Sequence, residues 1–360
     1  MMGMGRKRFF YVILPLLMGS LLFSGCGVSP EKNRHIDPYY LTGRKEDKEI
    51  FRDLFALLAA ENSGGEGQFT VVREIANGYI RLKEYSKLIN FLGSRINLFP
   101  DDLYNSYYLL MIAYAYMQQD ARPVAARFFD RIVKNYPDLT ISGESIHLVC
   151  LNQLINMADN PEQRVWYYHE LISRFPEDTD LGVDYFMLAQ AYERIGEWNG
   201  AIQAYTQYLP YVGTVIPGFP NADNYAKQMV DFNNSPKNWT SENLNSLLGG
   251  IRAALDGGSS GLLERYRAKV NFFARSWGQE ETDDAGMAEF NLSDFMRGNR
   301  IRYADKLDAG SNANEAYLRT WGWSQYISTW YLYFRKIYFP SDPEIHGRWE
   351  WAGVYYGEKF

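Results

Sequence analysis

The stretch that decides the fold runs Leu188-Ala189-Gln190-Ala191-Tyr192, then Gly196-Glu197-Trp198, then Ala201-Ile202 and Tyr205. Apolar residues recur at helical spacing on both sides of Gly196. Ala189 and Ala201 are small, so two helices can approach closely where they face each other. Tyr192 and Tyr205 are large and fill the space that such an approach leaves on either side. Gly196 suits the short turn between the helices. The spacing predicts a helical hairpin over 182–215.

Upstream, the same residue types recur in the same frame. Ala113, Tyr116, Ala125, Phe129 and Pro137 repeat it over 106–139. Ala76, Tyr79 and Pro100 repeat it over 69–102, with Leu88 in place of the second small residue. Tyr168 and Pro176 repeat it over 145–178; Asn152 and Arg164 depart, although Ser145 to Met157 keeps an apolar helical pattern. Position and chemistry recurring together resemble the tetratricopeptide repeat, a 34-residue helical hairpin. That family implies a mainly α fold, a solenoid of stacked hairpins. Solenoid ends need caps, and the segments Glu46 to Glu61 and Ala222 to Phe232 suit that role.

The repeat endings add a second resemblance. FDRIVKNYP (129–137) and YHELISRFP (168–176) close on an aromatic and a proline before an acidic turn. BamD-type outer-membrane assembly lipoproteins and related periplasmic repeat proteins share this ending. The likeness covers about 150 residues and implies an envelope location. The long C-terminal extension departs from the compact BamD pattern, so the likeness does not carry that role.

The tetratricopeptide resemblance also implies where a partner polypeptide sits, since the first helix of each hairpin lines the concave face. Those positions carry Arg73, Asn77 and Arg81, then Tyr114 and Gln118, then Gln153 and Asn156, then Gln190 and Arg194. Arg73 and Asn77 match half of the carboxylate clamp of chaperone-binding members. Met111 stands where those members have Asn, so a terminal-carboxylate ligand is not expected.

The N-terminus is a basic cluster (Arg6, Lys7, Arg8), an apolar run from Phe9 to Phe23, and Ser24-Gly25-Cys26. That order describes an export signal. The run is too short to span a bilayer, and Pro15 interrupts it. Leu22 to Cys26 resembles a bacterial lipobox, with Phe23 where Leu is usual. The resemblance implies cleavage before Cys26, diacylglycerol on its sulfur, an acylated amine and firm anchoring. Gly27, rather than an Asp retention signal, points to the outer membrane. The expected layout is a signal peptide over 1–25, a polar tether over 26–45, a helical array over 46–232 and a second module over 233–360.

Loss of three basic residues with the signal takes the formal charge from −6 to −9. An acidic chain without a basic stripe is a poor nucleic-acid binder. There are two cysteines; with Cys26 lipidated, Cys150 has no partner and reads as a buried structural thiol.

The pattern changes after about Ser235. Thr240 and Ser241 suit the cap of a helix running to about Leu255. Gly257 to Gly261 breaks it, a second helix is expected from Leu262 to Trp277, and an acidic loop follows from Gln279 to Gly286. Arg300 to Lys306, Ile327 to Phe339 and Arg348 to Tyr356 read as strands, with a helix from Asn314 toward Tyr326 as a rival reading. The expectation is a small α+β module rich in aromatics. Trp321, Trp323, Trp330, Trp349 and Trp351 cluster there, suited either to a core or to contact with sugars or a partner.

Nothing in the sequence supplies a metal or phosphate motif. His35, His147, His169 and His346 lie outside zinc spacings, and GxSxG, P-loop and GxGxxG patterns are missing, so no cofactor is expected. The sequence reading is a lipid-anchored scaffold for envelope proteins, not an enzyme. Two alternatives stand beside it. One is a lipoprotein that binds cell-wall glycan through the aromatic module, and the other is a hydrolase with two unmarked carboxylates.

Overall fold

The structure, a computed structural model, describes residues 36–60, 65–278 and 290–359. Cys26, the signal, His35, the first half of the tether (26–35) and the acidic loop lie outside the described residues. The chain divides into two units, Met1–Asp184 and Tyr185–Phe360.

The first unit is a run of helices. A helix α1 (Lys45–Ala60) precedes three hairpins: α2 (Glu66–Arg81) with α3 (Tyr85–Leu98), α4 (Asn105–Gln118) with α5 (Arg122–Asn135), and α6 (Ile146–Met157) with α7 (Pro161–Arg174). A two-residue ladder, β1 (Thr140–Ile141) on β2 (Glu144–Ser145), joins the second hairpin to the third. The fourth hairpin is α8 (Leu181–Arg194) and α9 (Trp198–Tyr208); the division between the units falls inside α8. The helical array is thus the tetratricopeptide-like arrangement that the periodicity predicted, with the weak third hairpin included.

Three of the four hairpins share one turn. Lys83, Asp120 and Gly196 occupy the same place between paired helices, and all three have positive φ (58°, 59° and 77°). Behind each, a backbone N–H reaches back five residues: Glu84 to the Tyr79 carbonyl, Ala121 to Tyr116, and Glu197 to Tyr192. This is the closure of a left-handed helix C-terminus, which satisfies carbonyls that the helix leaves open. The third hairpin does without it: Ala158 is extended, and the Asn160 side chain accepts from the Glu162 and Gln163 N–H groups instead.

The prolines do what the frame requires. The second helices end at Leu98, Asn135 and Arg174, two residues before Pro100, Pro137 and Pro176, because a residue preceding proline is pushed out of helical conformation. On each pre-proline aromatic lies a guanidinium: Arg95 on Phe99, Arg131 on Tyr136, Arg174 on Phe175. The family-like endings are therefore stacked corners.

The core follows the small and large residues. Ala76, Ala113, Ala125, Tyr79 and Phe129 are fully buried, as is Leu88, the departure in the first repeat. Helix α4 is buried on every face from Asn105 to Ala115, as a helix flanked on both sides must be. Helix α1 caps α2: the Phe51 ring stacks on Tyr79, centroids 4.7 Å apart. Gly78 makes this possible, since a Cβ there would lie 2.9 Å from Phe51.

The second unit holds α9, α10 (Ala222–Asn234), α11 (Leu244–Asp256), two short helices, α12 (Ser260–Glu264) and α13 (Leu292–Met296), and a five-stranded sheet. Its strands are β3 (Phe273–Ser276), β4 (Arg302–Tyr303), β5 (Glu315–Trp321), β6 (Trp330–Lys336) and β7 (Trp349–Tyr356), in the order β3-β7-β6-β5-β4. β3 pairs with β7 in parallel and the other neighbours are antiparallel. The expected α+β module is present with corrected elements.

The helix expected over Leu262 to Trp277 stops at Glu264. Asn271 adopts a positive φ of 54°, and residues 273–276 pair with Gly353 to Tyr356; a distant strand overrides the local helical pattern. Asn243, not Thr240 or Ser241, caps α11, while Ser241 bridges to Trp349. The rival helix after Asn314 is strand β5.

Candidate functional site

The groove positions expected from the repeat divide by their surroundings. Arg73 is 12% exposed, its guanidinium over Phe69 and its Nε 3.9 Å from Glu74. Tyr114 is buried. Arg81 is exposed but donates to Asp47 of α1 at 3.1 Å. These three serve packing and the docking of α1. Asn77, Gln118 and Gln153 are half-buried, and Asn156 is exposed with its amide donated to the Asn152 carbonyl. The contacts of the first unit leave these four amide side chains as its accessible polar positions among those named.

In the second unit Gln190 and Arg194 separate. Arg194 is exposed. Gln190 donates to the Tyr205 hydroxyl, which donates to Glu193 at 2.8 Å, and Tyr225 of α10 donates to the same Glu193 oxygen at 2.9 Å. Burial pushes the Glu193 carboxyl up, opposed by its two tyrosine donors. Gln190 is thus consumed by a closed network beneath α10 rather than displayed. Tyr225 also lines a cleft of about 280 Å³, with Met229, Phe232, Arg335, Ile337 and Tyr338.

Of the five clustered tryptophans, four are core. Trp323, Trp330, Trp349 and Trp351 are buried, and Trp321 alone is exposed, at 37%. Three of the four place the indole N–H on an internal acceptor: Trp323 on Thr320, Trp330 on the Ile327 carbonyl, Trp351 on the Gly353 carbonyl. Buried indoles need such partners. A contact surface built on these rings is corrected to a packed interior: Trp330, Trp349 and Trp351 fall on the sheet face that packs inward with Leu318, Leu332 and Val354, and Trp323, just after β5, lies beside Trp330.

The opposite sheet face carries aromatics that sequence reasoning missed. Phe273, Tyr317, Tyr331, Tyr333 and Tyr355 share it, joined by Trp277 just after β3. Trp277 stacks on Tyr355 with centroids 4.2 Å apart and 9° between planes, and meets Tyr331 edge-on at 5.3 Å. Gly353 lets Phe273 lie over β7, since a Cβ there would come within 2.6 Å of the ring. Two cations sit on this layer. Arg275 covers Phe273 and Tyr355, and the Lys359 ammonium lies 4.6 Å from the Tyr317 centroid and 5.2 Å from that of Trp277. The alternation Tyr331, Tyr333, Arg335 was visible in the sequence; reading residues 262–277 as helix hid the rest.

Other titratable groups are structural. His147 is buried, with Nδ1 2.6 Å from the Arg174 guanidinium, and burial holds its pKa below 6.5. Cys150 is a free buried thiol pushed up by burial. Among the described residues no group of three His, Cys, Asp or Glu could hold a metal ion, and no helix is long and apolar enough to cross a membrane.

Against known proteins, the tetratricopeptide repeat family model matches residues 107–139 and 185–209. The first span is the hairpin α4–α5, and the second is the α8–α9 hairpin from Tyr185 onward. Two hairpins of the helical array are thus similar to tetratricopeptide repeats, which in general suggest a scaffold for protein–protein interaction. No curated protein and no solved structure matches it.

Proposed function

We propose that this chain is a lipid-anchored tetratricopeptide scaffold of the bacterial cell envelope that binds a partner polypeptide. The observation that carries the reading is the hairpin array, with Asn77, Gln118, Gln153 and Asn156 on the first helices of three successive hairpins. Amide side chains on a helix face suit the backbone and side chains of an extended peptide. The lipobox-like Leu22 to Cys26 supports export and acylation, and Gly27 supports the outer membrane. In this scheme residues 1–25 are removed, 26–45 tether, 46–232 form the array and 233–360 make a second contact. Two contacts on one tethered body raise the effective concentration of each for the partner. The Tyr136-Pro137 and Phe175-Pro176 endings support the envelope location by their likeness to BamD-type lipoproteins and periplasmic repeat proteins.

Two experiments test it. Metabolic labelling with palmitate should mark the wild-type chain and leave Cys26→Ala unmarked; equal labelling removes the anchor. Crosslinking in intact cells should capture one dominant envelope protein. A folded Asn77→Ala/Gln118→Ala/Gln153→Ala variant should lose most of that capture, and unchanged capture would sink the groove assignment.

A further inference from the structure

The aromatic layer of the sheet holds an ammonium ion already. Lys359 follows β7, and the chain before it is fixed. The Gly357 N–H donates to the Thr329 carbonyl, and the Thr329 hydroxyl donates to Glu358. The Lys359 side chain then turns onto the rings of Trp277 and Tyr317, with Nζ 3.2 Å from Oδ1 of Asp308. Asp308 is held in place by the Gly310 N–H, and this bond, followed by Lys359, lowers its pKa. Gly310 leaves the space: a Cβ there would fall 2.2 Å from Nζ.

The rings do not depend on their occupant. Trp277 is fixed by stacking on Tyr355 and by its edge contact with Tyr331, while Tyr317 packs against Tyr333 at 5.3 Å. Asp308 is anchored through the backbone, its own N–H donating to the Tyr317 carbonyl. Two aromatic faces and a carboxylate converging on one point form a box for a cation. The carboxylate sets the kind. A primary ammonium donates a hydrogen bond to Asp308, whereas a quaternary ammonium has none to give. The planar cation of Arg275 takes a different seat, flat over Phe273 and Tyr355.

We propose that Trp277, Tyr317 and Asp308 form a binding site for the primary ammonium of a lysine side chain of a partner polypeptide, and that Lys359 is its tethered competitor. The acidic chain, with a formal charge of −6, favours a basic partner. The lysine's source rests on the scaffold reading; the ammonium site itself does not. A tethered occupant is present at an effective concentration in the millimolar range, so its removal should expose the site to added ligand.

The test uses the full chain with Lys359→Met, which keeps an unbranched apolar stem and removes the charge, and Lys359→Gln as a second variant. Nα-acetyl-lysine methylamide is titrated while tryptophan fluorescence is followed, with choline and Nα-acetyl-norleucine methylamide as comparison probes. Both variants should bind the lysine probe about tenfold more tightly than wild type. Adding Asp308→Asn to Lys359→Met should weaken that binding. Choline should bind less well than the lysine probe, and the norleucine probe should give no saturable response. No saturable response to lysine in either folded variant would overturn the site. Choline binding as well as lysine would overturn the lysine assignment in favour of a quaternary-ammonium headgroup. The outcome is independent of whether any partner is captured by the helical groove.

Discussion

The backbone N–H of Glu84 closes on the carbonyl of Tyr79 at 2.9 Å, five residues back, with Lys83 held at φ 58° between them. The second hairpin repeats this with Asp120 at 59°, and the fourth puts Gly196 there. Left-handed backbone disfavours a side chain by roughly 1–2 kcal/mol, and glycine escapes that penalty at some entropic cost. Lys83→Gly and Asp120→Gly should therefore each stabilise the chain by about 0.5–1 kcal/mol in urea unfolding. A loss of stability, as glycine gives in the middle of a helix, would show that the turn is not held this way.

The docking of α1 rests on Phe51 against Tyr79 and on the space above Gly78. Phe51→Ala should cost about 3–5 kcal/mol of the local docking energy, and Gly78→Val should force the same ring away. Hydrogen exchange over 45–60 should rise in both variants while α4 stays protected. Uniform loss of protection through the first unit would mean that α1 is part of its core rather than a cap.

Arg95 is 7% exposed and makes several contacts at once. It donates to Gln68 and Asp102, and its guanidinium lies over Phe99 and Tyr108. Removing one partner of a buried pair strands the other charge. Arg95→Met should destabilise by about 2–4 kcal/mol, and Asp102→Asn in the same background should add little. Full additivity of the two in denaturant unfolding would argue against coupling.

Two buried groups give opposite pH slopes. Burial raises Asp184 from 3.8 to about 6, against the hydroxyl that Thr179 donates to it. Its stabilising contribution is complete below 3.8 and is lost as pH rises through about 6. Asp184→Asn should therefore gain on the order of 1–3 kcal/mol at pH 7.5 and nothing near pH 3.5. His147 is lowered from 6.5, so its contribution is present above 6.5 and is lost as pH falls through the lower folded value. His147→Gln should flatten the acid side of the stability profile. A profile in which Asp184→Asn gains equally at both ends would rule out titration as the cause.

How far the sequence could be read follows from the range of the interactions. Ala76, Ala113 and Ala201 face helices of their own hairpin within a few turns, so their small size and fixed spacing revealed the array. Phe273 to Ser276 are set by β7: Arg275 donates to the Tyr355 hydroxyl across 80 residues of chain. Local periodicity holds no trace of such a pairing, and the segment read as helix. The tryptophans misled for a related reason. Which face of a strand turns inward depends on register, so Trp330 and Trp351 looked available while Trp277 and Tyr317, the rings around Lys359, went unread. Gln190 read as a groove residue because the repeat frame says nothing of Tyr225, which arrives from a helix outside the repeats.

The register of β6 on β7 sets the last prediction. Arg335 stands opposite Glu350, their side chains pair at 2.9 Å, and the second Glu350 oxygen accepts from the Trp239 indole at 2.8 Å. Glu350 is 2% exposed, so the carboxylate is desolvated and both its oxygens are engaged. Glu350→Leu leaves the partly exposed guanidinium and the buried indole N–H without their acceptor and should cost about 1–3 kcal/mol. Adding Arg335→Leu removes the stranded charge and should restore part of that loss, since an apolar pair replaces a half-buried ion pair at little penalty. Thermal unfolding of the single and double variants measures the difference. If the double variant is as unstable as Glu350→Leu alone, the indole bond from Trp239, and not the ion pair, is what Glu350 is there to make.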